Sequence, residues 1–115
     1  TFDRHHLTQI LWNLCKNGWE HSRKEIGSLS LHCKQTASLG PTSKAGLQLE
    51  VIDDGSGVDE QNRSKLFEPF HTTKTTGNGL GLYISRELAE ANNSKLIYQP
   101  LKNGSAFILQ FKNTI

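Results

Sequence analysis

The apolar residues of this 115-residue chain change their spacing three times, and that pattern limits the fold more than any other feature. From Thr1 to about Ser22 they recur at three and four, so that Leu7, Ile10, Leu11, Leu14 and Gly18 share one side of a helix. Asp3 is placed to cap its start, and Gly27 closes the region after Arg23-Lys24-Glu25. From Ser28 the period becomes two. Leu29, Leu31 and Cys33 alternate with Ser30, His32 and Lys34, as in a half-buried strand. Thr36 to Ala45 is small and polar around Gly40-Pro41 and reads as a hairpin loop, and Gly46 to Asp53 is the next strand. After a glycine turn at Asp54–Val58, a short helix fits Asp59 to Phe67, with capping at or beside Asp59 and a stop at Pro69. Helical spacing returns from Leu80 to Ala91 and ends at Asn92-Asn93. The last change gives strands at Lys95–Gln99 and Ala106–Lys112 around Lys102-Asn103-Gly104, with Phe107, Leu109 and Phe111 facing inward.

Hairpin-paired strands with helices between them predict one α/β domain over residues 1–115, a two-layer sandwich whose mixed sheet is covered by helices on one face. The 35% hydrophobic and 21% charged content excludes a disordered chain, and no apolar run approaches the about 20 residues of a membrane span. Because the chain opens in mid-pattern at Thr1, it is expected to be part of a longer protein. A formal net charge of +2, scattered along the sequence, argues against a nucleic-acid surface. Cys15 and Cys33 have no metal-ligand spacing; two buried free thiols are expected in preference to a disulfide, which suits a reducing, cytoplasmic compartment.

Four segments carry candidate chemistry. Asn13 and Asn17, one helical turn apart at the border of the apolar stripe, are poor mid-helix residues. They are either solvated or aim amide oxygens into a polar cavity, where a hard neutral oxygen can complete the shell of a Mg²⁺. Asp53 continues the buried row Leu47-Leu49-Val51, and a carboxylate there needs a partner. With Asp54-Gly55-Ser56-Gly57-Val58 behind it, Asp53 is either a turn-capping residue or an acceptor for the amino group of adenine. Gly77-Asn78-Gly79-Leu80-Gly81-Leu82 opens a helix, and free N–H groups there can hold phosphate oxygens. Its spacing is that of neither a dinucleotide fingerprint nor a P-loop. Leu66 to Lys74 leads into that loop, with Phe67 and Phe70 as either core residues or a loop anchor, and with Thr73 and Lys74 offering a hydroxyl and a cation.

In their order, Asn13-x-x-x-Asn17, Asp53-x-Gly55-x-Gly57, Phe67-x-Pro69-Phe70 and Gly77-x-Gly79-x-Gly81 resemble the N, G1, F and G2 boxes of the catalytic ATP-binding domain of sensor histidine kinases. The likeness spans nearly the whole chain and includes Gly104-Ser105-Ala106-Phe107; Phe67 to Lys74 is most similar to the nitrogen-regulation and pilus-regulation branch. The resemblance implies the Bergerat α/β fold, Asn17 as Mg²⁺ ligand, Asn13 as a phosphate-side helper and Asp53 as reader of the adenine amino group. It further implies Gly55 and Gly57 shaping the base pocket, and His21, Thr73, Lys74, Gly77, Asn78, Gly79, Leu80, Gly81 and Leu82 around the nucleotide. Related ATPases of the same fold carry Glu at position 13 to activate water; Asn13 cannot be a general base, which favours a kinase over an ATPase. Glu20 stands where the family often has Lys, and Gly18 where it usually has Ala.

Functionally, that resemblance implies a domain that transfers the γ-phosphate of Mg·ATP to a histidine on separate dimerisation helices, for relay to a response regulator. The whole protein is expected to be a homodimer and this segment a monomer. The alternatives are a nucleotide-sensing module that controls phosphatase state without transfer, and a serine kinase of the anti-sigma type. Among His5, His6, His21, His32 and His71 none is expected to be the phosphoacceptor, although His71 lies in the expected lid.

Overall fold

The computed structural model describes residues 2–36, 46–69 and 80–111. Helix α1 runs Arg4–His21, and the Asp3 carboxylate caps it by accepting from His5 N at 2.8 Å and His6 N at 3.1 Å. Strands β1 (Leu29–Thr36) and β2 (Gly46–Asp53) come next, then the short helix α2 (Glu60–Arg63) and helix α3 (Gly81–Ala91). Strands β3 (Lys95–Leu101) and β4 (Gly104–Phe111) end the described chain. Asn93 stops α3 with a φ of 56°, the left-handed conformation that asparagine tolerates. The Asn92 amide donates to Leu88 O and accepts from Asp3 N at 2.8 Å, so the end of α3 is tied to the start of α1.

The two-layer α/β expectation is met, but the sheet is antiparallel rather than mixed. Its order is β1-β2-β4-β3, with antiparallel pairing at every step. The chain does return through α2 and α3 so that β3 runs in the direction of β2. The last strand, β4, then inserts between them and turns a would-be parallel neighbour into two antiparallel ones.

One sheet face and the helices share a core of Ile10, Leu14, Val51, Leu66, Ala89, Leu96, Phe107 and Leu109. Register explains it: Val51 opposes Phe107, Leu49 opposes Leu109, and Leu96 and Tyr98 flank that pair from β3. The cover thins toward β1. Leu31 on β1 and Leu47 at the start of β2 are each 51% exposed, and Cys33 is exposed rather than buried, as α1 packs on β2 more than on β1. Both thiols are free, as expected; Cys15 is half-buried, and burial pushes its thiol up. No helix among the described residues is long and apolar enough to cross a membrane.

Gly18 sits where α1 lies closest to the sheet. A Cβ there would meet Leu29 Cδ1 at 2.8 Å, but Val51 and Asp53 only at ordinary contact distances. Leu29 Cδ1 is the end of a flexible side chain, and alanine favours a helix over glycine by about 1 kcal/mol. Gly18→Ala is therefore expected to change stability by less than about 1 kcal/mol in urea denaturation. A loss above about 2 kcal/mol would mean that Leu29 cannot swing aside.

Candidate functional site

The site grows from two polar residues that each continue an apolar row. Asp53 extends Leu49-Val51 on β2, and Ser105 extends Leu109-Phe107 backwards on β4; the register sets the two opposite each other. They are 4% and 3% exposed, so a carboxylate and a hydroxyl stand at the buried end of the core. Asp53 Oδ1 accepts from Gly55 N at 2.9 Å. Burial pushes the Asp53 carboxyl above the usual carboxylate range; the Gly55 N–H and the charge of His21 oppose this, and Asp54 adds to it. Asp54, next along the chain, is held low instead. It accepts from Arg23 N at 2.9 Å and Ser28 Oγ at 2.8 Å, fastening the turn to the residues after α1.

Two glycines let the turn pass close to its neighbours. A Cβ on Gly55 would lie 2.1 Å from His21 O, so only glycine allows the turn to cross the end of α1. Gly57 has a φ of +83°, and a Cβ there would face Ser105 Oγ at 3.5 Å and Tyr98 Oη at 3.6 Å. The Tyr98 hydroxyl in turn accepts from Val58 N at 3.0 Å and exchanges a hydrogen bond with Ser105 Oγ at 2.9 Å.

These groups enclose a cavity of about 290 Å³. Val58, Leu66, Leu82 and Phe107 supply apolar wall, while Asp53, Ser105 and Tyr98 supply polar atoms. Asn17 and His21 contribute from α1, and Ser56, Asp59 and Asn62 from the segment after the glycine turn. Among the described residues nothing hydrogen-bonds the side-chain amide of Asn17, whereas the ring of His21 is fixed by a 2.8 Å bond to Asn17 O. The arrangement suits a flat, largely apolar ring that offers a hydrogen-bond donor to Asp53, with a more polar group beside Asn17.

Of the residues singled out in the sequence, Asn17, His21, Asp53, Gly57 and Leu82 meet in this cavity. Gly55 lies under the His21 carbonyl and supports it. Asn13 is elsewhere: its amide donates to Gly81 O at 3.3 Å and Ser85 Oγ at 3.2 Å, joining α1 to the first turn of α3. Leu80 and Gly81 form the start of that helix. Thr73, Lys74, Gly77, Asn78 and Gly79, with Phe70 and His71, lie outside the described residues. Phe67 anchors its segment by an edge-on contact with Phe107, ring centres 6.2 Å apart. Glu20 is not among the residues that line the cavity. Sequence reasoning missed Ser105 and Tyr98; Ser105 carried the signal that marked Asp53, a polar residue next in line on an apolar row.

Known proteins resemble this chain in sequence and fold. The family described as histidine kinase-, DNA gyrase B-, and HSP90-like ATPase matches residues 2–115. The sensor protein kinase PilS of Pseudomonas aeruginosa is 43% identical over 103 residues, which is 89% of this chain and 19% of PilS. The chain thus spans about a fifth of the length of that relative. Among solved structures, the catalytic domain of histidine kinase ThkA superposes with a TM-score of 0.71 at 32% identity, over 96% of this chain and 68% of that one. Full-length ShkA in complex with AMPPNP gives 0.66 at 27% identity, over 92% of this chain and 21% of ShkA. With its helix-covered antiparallel sheet and its Asp53 cavity, the chain belongs to the histidine kinase-, DNA gyrase B- and HSP90-like ATPase family, among the catalytic domains of sensor histidine kinases.

Proposed function

We propose that this chain holds Mg·ATP in the Asp53 cavity and transfers its γ-phosphate to a histidine on separate dimerisation helices, for relay to a response regulator. The observation that carries the reading is the buried Asp53 carboxylate in an apolar cavity that also receives Asn17. Asp53 accepts from the adenine amino group while Val58, Leu66, Leu82 and Phe107 cover the ring. Asn17 supplies one neutral oxygen to Mg²⁺, which needs the rest of its shell from phosphates and water. When bound, that ion neutralises phosphate charge. Asn13 serves the phosphate side by holding Gly81 and Ser85, and as an amide it cannot activate water. Thr73, Lys74, Gly77, Asn78, Gly79, Leu80 and Gly81 are the proposed phosphate-side contacts. The whole protein acts as a cytoplasmic homodimer through helices beyond this segment.

Titration with ATP in the presence of Mg²⁺, and again with chelator, tests the site. Saturable binding is expected, strengthened by the ion. No saturation at millimolar nucleotide would sink the reading. Asn17→Ala is expected to remove about tenfold of the Mg²⁺-dependent gain and to leave metal-free binding nearly unchanged. Adding the helical segment from the full-length protein and following acid-labile phosphate on histidine then separates transfer from nucleotide sensing.

A further inference from the structure

Tyr98 lies on β3, two strands from Asp53, and its hydroxyl touches both the glycine turn and the cavity floor. A phenol oxygen has a single proton to give. The backbone N–H of Val58 can only donate, so in that 3.0 Å bond Tyr98 Oη is the acceptor. Its own proton is then free for Ser105 Oγ at 2.9 Å, and an aliphatic hydroxyl is the better acceptor of the two. With Tyr98 as the donor of that bond, Ser105 accepts and has its own proton left over. It stands opposite Asp53 in the register, so an acceptor and a donor lie side by side at the end of the cavity.

We propose that Tyr98 is a positioning residue for base selection: anchored by Val58 N–H, it orients Ser105 as a donor toward N1 of the purine while Asp53 accepts from the 6-amino group. The inference rests on the nucleotide reading above and adds to it the means of choosing adenine. Guanine presents the opposite order, an acceptor at position 6 and a donor at N1, and meets both groups with the wrong polarity. The chain of bonds matters because a hydroxyl free to rotate would serve either base; fixing its direction turns Ser105 into a selector. The Tyr98 ring adds rigidity through its packing on Phe107, centres 5.3 Å apart.

The test compares ATP with two analogues, 1-deaza-ATP, which lacks the N1 acceptor, and purine riboside triphosphate, which lacks the 6-amino group. The wild-type chain is expected to bind 1-deaza-ATP about tenfold more weakly than ATP. Tyr98→Phe should shrink that ratio to about twofold and leave the penalty for the missing amino group intact, since Asp53 still reads it. Ser105→Ala should abolish the N1 penalty while keeping the Val58–Tyr98 bond, and it serves if Tyr98→Phe folds poorly. An N1 penalty that stays near about tenfold in either variant overturns the proposal. So does its absence in the wild type, where Ser105 would be donating to Asp53 instead. Equal loss of both penalties in Tyr98→Phe would make the residue structural only, and this too overturns it. Failure of the wild type to bind ATP at all would refute the nucleotide reading itself, a different result from any of these.

Discussion

Gly104→Ala is expected to cost at least about 4 kcal/mol of stability, enough to leave much of the chain unfolded at room temperature. A Cβ at this position would sit 1.9 Å from Asp53 O, 2.9 Å from Asp53 C and 3.1 Å from Asp54 Cα. All three are backbone atoms, and Asp53 is locked to Ser105 in the β2–β4 ladder, so neither side can withdraw without breaking pairs. The φ of +155° adds strain for any L side chain. Gly27→Ala is the natural comparison. Gly27 has a φ of +87° and nothing within 4 Å of a built Cβ, so it isolates the conformational cost, about 1–2 kcal/mol. Urea denaturation of both variants, followed by circular dichroism, measures the difference. Equal midpoints would mean that β4 can shift away from Asp53, and with it the wall of the cavity.

The position of Gly104 also shows what the sequence could and could not disclose. Alternating apolar residues located β1, β2 and β4, and the continuation of Leu47-Leu49-Val51 into Asp53 pointed to the buried carboxylate without any knowledge of register. Applied to Phe107, Leu109 and Phe111, the same logic leads back to Ser105, but its meaning depends on β4 pairing with β2. That pairing was not legible, because strand order is decided by which faces pack, and the insertion of β4 between β2 and β3 leaves no local mark. For the same reason Leu31 and Cys33 had the pattern of a half-buried strand and yet are exposed: alternation reports a face, not whether a helix reaches it. Asn13 and Asn17 share a helix edge, but their 100° steps send one to α3 and the other to the cavity.

Asp53→Asn is expected to weaken ATP binding about 100-fold while leaving the ligand-free fold as stable as before, or more so. The geometry sets the polarity. Gly55 N–H already donates to Oδ1 at 2.9 Å, so an asparagine must keep its oxygen there and turn its NH₂ toward the cavity. On the proposed reading, a donor then faces the adenine amino group, also a donor, in place of the accepting carboxylate oxygen. Stability moves the other way because burial is the largest influence on the Asp53 carboxyl and raises it. A carboxyl raised by folding adds stability only while it is protonated; that contribution is present below its unfolded value and is lost as pH climbs through the raised one. At neutral pH the charge is therefore a cost of folding that asparagine removes. Binding has the opposite slope, since the ionised form is the stronger acceptor, and a protonated carboxyl, with Oδ1 held by Gly55 N–H, turns an O–H donor toward the base. ATP affinity should fall with acidification at a midpoint above 3.8, the ordinary value of an aspartate, and this limb should be missing from the asparagine variant. Isothermal titration across the acid range, paired with urea denaturation of both forms, checks both slopes. Should affinity and stability fall together in Asp53→Asn, the carboxylate would be a structural group and not the reader of the base.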